Sequence, residues 1–230
     1  MMQDAIVWGP LIIKYNWIAV AFSALAAYAA MKYWLKDKND ISKPILEDIT
    51  NAFLWAFLIW KFSVIIFNPV TVLNNPYYIV YFTGGWRGII LSAIALLLFI
   101  AIQSKKRKIT FWIYTAVLAA GLLSYTFVYS LFQLSFNYLT QSFLYDLSQL
   151  VVVSVLLIWL YNRKERFEKP REINQVILWF SIGQIFGYFL KHSSTVVFLG
   201  LSSEQLVFLA VALFCLFSQS FRKKASLNES

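Results

Sequence analysis

Apolar positions come in long unbroken runs separated by short polar gaps. The runs predict helices over about Ile12–Leu35, Ile49–Phe67, Ile89–Gln103, Phe111–Leu131, Phe143–Tyr161, Ile173–Leu190 and Leu201–Phe221. About 20 apolar residues let a helix cross some 30 Å of hydrocarbon, so seven such runs would use about 140 residues and leave only short loops. The pair Asn68-Pro69 stops the second run. The uncharged segment Val70–Thr83, with Asn74, Asn75 and Pro76, then reads as a loop dipping into the membrane edge. Gly84-Gly85-Trp86-Arg87-Gly88 leads into the third run, which is short unless the glycines themselves lie at membrane depth. Gln133–Gln141 is polar, aromatic and uncharged, as an outer loop should be, and no internal repeat is visible.

Composition turns these runs into membrane spans. The 230 residues are 60% hydrophobic and 13% charged, against about 45–50% and 25% in a soluble domain. The expected fold class is an all-α integral membrane protein with seven transmembrane helices in a single domain, residues 1–230. The segment before the first run has no charged region and cleavage site, so that run is expected to remain as an anchor. Cys215 is the sole cysteine and has no internal partner for a disulfide.

Charge orients the spans. Of 20 Lys and Arg, all but four fall in four patches: Lys32–Lys43, Lys105–Lys108, Arg163–Arg171 and Arg222–Lys224. Cytoplasmic loops hold the excess of Lys and Arg, and the patches lie in alternate gaps. The N-terminus is therefore expected outside and the C-terminus in the cytoplasm. The net charge of +9 follows from this rule and from anionic lipids, without a nucleic-acid partner.

The four remaining cations are Lys14, Lys61, Arg87 and Lys191. Lys61 lies six residues before Phe67, roughly 9 Å below the outer end of its span. Lys14 and Arg87 open spans on the outer side, and Lys191 closes one there. Asp146 and Glu204 lie a few residues inside theirs, and the only histidine, His192, follows Lys191. A charge in the membrane is costly and faces the bundle interior, so these groups suggest one polar layer open to the outer leaflet. Three uses are open: structural ion pairs with snorkelling lysines, an anionic lipid-headgroup site, and a proton or ion path. One His and one Cys are too few for a metal site, and no cofactor is implied. Gly183 and Gly187 form a Gly-x-x-x-Gly spacing suited to close helix packing.

Several ordered landmarks resemble the prolipoprotein diacylglyceryl transferase family of bacterial membrane enzymes. Gly9-Pro10-Leu11-Ile12-Ile13-Lys14-Tyr15 is similar to the family's opening. Lys61 followed by Phe67-Asn68-Pro69 and Pro76 is similar to its second span and loop. Gly84-Gly85-Trp86-Arg87-Gly88 stands at its Gly-Gly…His-Gly-Gly element, and Gly200-Leu201-Ser202-Ser203-Glu204-Gln205-Leu206 resembles the start of its last span. Other family features are changed. Arg87 stands near the histidine's place, Asn16 replaces a tyrosine, and residues 121–137 lack the signature Arg and Glu. The sixth-span Gly-Arg…Glu…Arg pattern becomes Gly183-Gln184…Tyr188…Lys191. Arginine's planar fork binds two phosphate oxygens, a geometry that Lys and Gln do not reproduce.

The resemblance implies a bacterial plasma-membrane protein that binds phospholipid, specifically phosphatidylglycerol, together with or instead of a lipoprotein precursor or secreted partner. Lys14, Lys61, Arg87 and Lys191 would hold the lipid phosphate. Were glyceryl transfer to a lipobox cysteine retained, Asp146 or Glu204 would assist the incoming thiol. The alternatives are a non-enzymatic adaptor for a secreted partner and a small-solute transporter.

Overall fold

The fold is that of a computed structural model. It describes residues 5–8, 11–81, 84–136, 143–164, 169–191, 196–198 and 200–228. Helices dominate: α1 (Tyr15–Trp34), α2 (Asn39–Phe67), α3 (Pro69–Asn74), α4 (Tyr78–Tyr81), α5 (Gly85–Arg107), α6 (Phe111–Phe136), α7 (Phe143–Asn162), α8 (Pro170–Phe189) and α9 (Ser203–Asn228). Two antiparallel hairpins complete the described chain: β1 (Ala5–Trp8) with β2 (Leu11–Lys14), and β3 (Val196–Phe198) with β4 (Leu201–Ser202).

Among the described residues, four helical segments are long and apolar enough to cross a membrane: Asp40–Phe67, Gly85–Arg107, Phe111–Phe136 and Phe143–Asn162. Helix α9 adds a shorter apolar stretch, Ser203–Gln219. The polar residues Asn174, Gln175 and Gln184 in α8, and Asn16 and Lys32 in α1, lower the hydropathy of those two helices. Large apolar side chains such as Leu25, Phe57, Leu98, Ile158 and Phe214 point outward, while Asp48, Gln149, Gln184 and Gln205 are buried. That inversion fits a multi-pass membrane protein, because lipid accepts apolar surface and leaves polar groups to be satisfied within the bundle.

Contacts group the chain into two compact units, residues 1–34 with 115–230, and residues 35–114. In the second unit α2 packs along α5. In the first unit α8 lies between α7 and α9.

Local chemistry shifts several boundaries. The expected loop Val70–Thr83 contains α3 and α4 instead. Asn68 ends α2, and Pro69 sits in the first turn of α3, where its missing N–H and fixed φ suit a helix start as well as a stop. Helix α2 begins at Asn39, ten residues before the apolar run, and carries Pro44 near its start. The expected outer loop beginning at Gln133 is helical to Phe136, and residues 137–141 lie outside the described residues. Helix α5 begins at Gly85, so the third apolar run is a helix of 23 residues rather than a short span. Close packing accounts for that start: a Cβ on Gly84 or Gly88 would collide with Ser63 Oγ on α2. The expected starts Ile12 and Leu201 fall in strands, and α1 and α9 begin three and two residues later.

Candidate functional site

In the first unit, α7 and α8 meet along seams that turn polar at one end. The buried positions of α7 are Asp146, Gln149, Val153, Leu156 and Leu160, recurring every three or four residues as one helical face requires. Those of α8 are Ile173, Val176, Ser181, Gln184 and Gly187. Gln184 Nε2 donates to Gln149 Oε1. A Cβ on Gly187 would lie 2.7 Å from Gln149 Nε2 and 3.1 Å from Ser148 Oγ, and one on Gly183 would meet Val152. The two helices therefore run antiparallel, with their polar ends together. Both glycines of the Gly-x-x-x-Gly face α7.

Gln149 is only 5% exposed, and its Nε2 has no hydrogen-bond partner. A buried donor without an acceptor costs about 1–3 kcal/mol.

One helical turn along from this pair, at Tyr145 and Tyr188, stands a cation. Lys191 Nζ lies 5.6 Å from the ring centre of Tyr145 and 5.3 Å from that of Tyr188. Those rings are 5.3 Å apart, and their hydroxyls are hydrogen-bonded to each other. Two aromatic faces attract an ammonium through the ring quadrupole, and Glu204 also interacts electrostatically with Lys191. Asp146 is buried and Glu204 exposed, and both act electrostatically on Tyr145. Glu204 accepts from Ser203 Oγ at 3.0 Å.

The start of α9 is a reciprocal cap. Ser202 N–H donates to Gln205 Oε1 at 2.9 Å, and Gln205 N–H donates to Ser202 Oγ at 3.3 Å, the capping-box arrangement of a Ser followed three residues later by Gln. Gln205 Nε2 also donates to Ile185 O at 3.0 Å, tying this cap to α8. Gln205 is thereby structural, while neighbouring Glu204 turns outward.

In the second unit, Lys61 lies on α2 and Arg87 in the first turn of α5. Lys61 is half-buried and Arg87 exposed. Where α2 meets the start of α5, Gly84 N–H reaches Trp60 O at 3.4 Å, Gly88 leaves room against the Trp60 side chain, and Trp60 Nε1 is buried without a partner. The same unit holds a buried carboxylate met by three donor groups. Asp48, 1% exposed, accepts from Arg107 Nε at 2.7 Å, Arg107 Nη2 at 2.9 Å and the Tyr114 hydroxyl at 2.7 Å. Arg107 also comes within 4.0 Å of Glu47.

The expected charged layer thus falls in two groups belonging to different units. Asp146, Lys191 and Glu204 gather around Tyr145 in one, while Lys61 on α2 and Arg87 on α5 lie in the other. Lys14 is the last residue of β2, and its side chain lies outside the described residues, as do His192 and the Gly9-Pro10 pair. Sequence reasoning missed Asp48, Gln149, Tyr145 and the cap role of Gln205. Two signals could have found some of them: polar residues three apart on an apolar seam, and the Ser-x-x-Gln spacing. No protein-family model matches this chain, and no curated protein matches it.

Proposed function

We propose that this chain is a transferase-like membrane protein that binds an anionic glycerophospholipid between α7, α8 and α9. The observation that carries this reading is the unpartnered Gln149 Nε2, one helical turn along α7 from Tyr145, where Lys191 lies on two tyrosine rings. A glycerophospholipid offers the complementary pair, an ester carbonyl for the amide and a phosphate for the ammonium. Lys61 on α2 and Arg87 on α5, in the unit that also holds the unpartnered Trp60 Nε1, supply a second anion-binding position, and Lys14 adds a further cation. Phosphatidylglycerol is the preferred lipid. A lipoprotein precursor or secreted protein is the macromolecular partner.

The proposed setting is a bacterial plasma membrane, with seven spans, the N-terminus outside and the C-terminus in the cytoplasm. Gln184, the neutral partner of Gln149, stands where the resembled family places an arginine, which favours binding over turnover. A non-enzymatic adaptor is accordingly the second reading. Were transfer retained, buried Asp146 is better placed than exposed Glu204 to act on an incoming thiol in a dry site.

The test is equilibrium binding of labelled phosphatidylglycerol to the purified protein, alongside glyceryl transfer to a lipobox peptide. Binding is expected to fall in Lys191→Met and Gln149→Leu, with transfer low in all forms. Undiminished binding in both variants would overturn the lipid site. Transfer that survives with the lipid site intact would overturn the adaptor reading alone.

A further inference from the structure

Four consecutive cations close α5: Lys105, Lys106, Arg107 and Lys108, all exposed. They differ in what holds them. Arg107 is gripped by Asp48 through two of its nitrogens, whereas Lys108 closes the helix in the left-handed region at φ 57°, the only non-glycine residue with positive φ among those described. Lys108 N–H bonds Lys105 O at 3.3 Å, Ile109 N–H bonds Ser104 O at 3.1 Å, and Ser104 Oγ donates to Ile109 O at 2.6 Å. This paired closure ordinarily places glycine at the left-handed position, because a Cβ there crowds the following carbonyl. A cation does favour a helix C-terminus, but Lys105, Lys106 and Arg107 already provide one. The strained lysine needs a further reason.

We propose that Lys105, Lys106 and Lys108 form a docking surface for anionic phospholipid headgroups at this end of α5. The helix is long and apolar enough to cross the bilayer, so its last turn emerges at headgroup level. Phe111 and Trp112 follow immediately, their rings 5.9 Å apart and edge to face, as aromatic residues gather at membrane interfaces. A cluster of lysines at such a position attracts acidic lipid, by about fivefold for each lysine near the surface. Arg107 is committed to Asp48 and serves to pin the turn. This surface reads the charge of the surrounding bilayer and does not depend on the lipid site between α7 and α8.

The test follows the full-length protein through thermal unfolding in nanodiscs of pure phosphatidylcholine and in others containing phosphatidylglycerol. In phosphatidylcholine, Lys108→Gly relieves the left-handed strain, and the midpoint is expected to rise by about 2–4 °C. With phosphatidylglycerol the gain is expected to shrink or change sign, because a headgroup contact is lost. An equal rise in both bilayers would overturn the proposal. Lys105→Gln with Lys106→Gln leaves the backbone closure intact and is expected to lower only the stabilisation by phosphatidylglycerol; no change there overturns it too. Inorganic phosphate added to phosphatidylcholine discs is expected to leave the midpoint unmoved. A shift matching that from phosphatidylglycerol would assign the surface to free phosphate instead.

Discussion

Two buried polar groups solve the same problem differently. Around Asp48, each carboxylate oxygen is met by a donor: Arg107 contacts both, and Tyr114 adds to one of them. Around Gln149, an amide hydrogen-bonds Gln184 through its oxygen and leaves its nitrogen without a partner. The first cluster is charged and complete, which suits a fixed joint between helix ends. The second is neutral and incomplete, with a lysine held on aromatic faces nearby, which suits a ligand. A complete network is valuable where it stands, and an incomplete one keeps part of its interaction energy for whatever arrives.

Removing the Asp48 carboxylate sets the largest effect. Asp48→Ala leaves the Tyr114 hydroxyl and the Arg107 guanidinium without their shared acceptor, and unfolding in detergent should show a loss of about 3 kcal/mol. Arg107 is 38% exposed and recovers water, which keeps the loss at the low end. Tyr114→Phe removes one of the three bonds and should cost about 1 kcal/mol. Neither change should alter phospholipid binding between α7 and α8. A binding defect equal to the stability defect would erase the distinction between the clusters.

The glycines of α8 divide next. Gly183→Ala drives a methyl into Val152, a β-branched side chain with little freedom to turn, at about 1–2 kcal/mol. Gly187→Ala meets the flexible end of Gln149, so it should cost less than Gly183→Ala. It should nevertheless weaken lipid binding, by filling the space beside the spare N–H. Isothermal unfolding and lipid titration on the two variants give opposite rankings if the cluster serves a ligand, and the same ranking if it serves packing alone.

The paired change Gln149→Leu with Gln184→Leu removes both amides and strands neither. Stability should hold or rise slightly, while lipid affinity drops by about tenfold, the equivalent of one buried hydrogen bond. A loss of stability instead would make the amide pair a structural element like Asp48. The smallest expected effect on stability belongs to Lys191→Gln, within about 0.5 kcal/mol. That variant should lose preference for anionic over zwitterionic lipid, read from competition between the two.

Much of the helical pattern was legible because lipid imposes a coarse rule: a helix that crosses it must be long and apolar. Runs such as Phe143–Tyr161 reappear as α7, Phe143–Asn162. The errors cluster where backbone chemistry outweighs hydropathy. Pro69 opens a helix where it was expected only to close one, and Gly84 and Gly88 lengthen α5 by letting it touch Ser63. The unexpected charge at membrane-length segments was also legible, since Lys61, Arg87, Asp146 and Lys191 stand out against apolar neighbours. Their grouping was not. Depth along a helix says nothing about which face a residue occupies or which helix lies opposite.

The amino-acid sequence alone determined that this is a helical chain of membrane character, because composition and run length govern the exchange between water and lipid. It also marked the residues that resist such a solvent. Tertiary structure decided which of them are satisfied. Lys105–Lys108 look alike as a string, yet one is clasped by Asp48 and another bends the backbone into the left-handed region. Gln149 and Gln184 lie 35 positions apart and become partners only because α7 and α8 run antiparallel. Hydrogen bonds depend on angles and on a few tenths of an ångström, and those are properties of packed helices rather than of residue order.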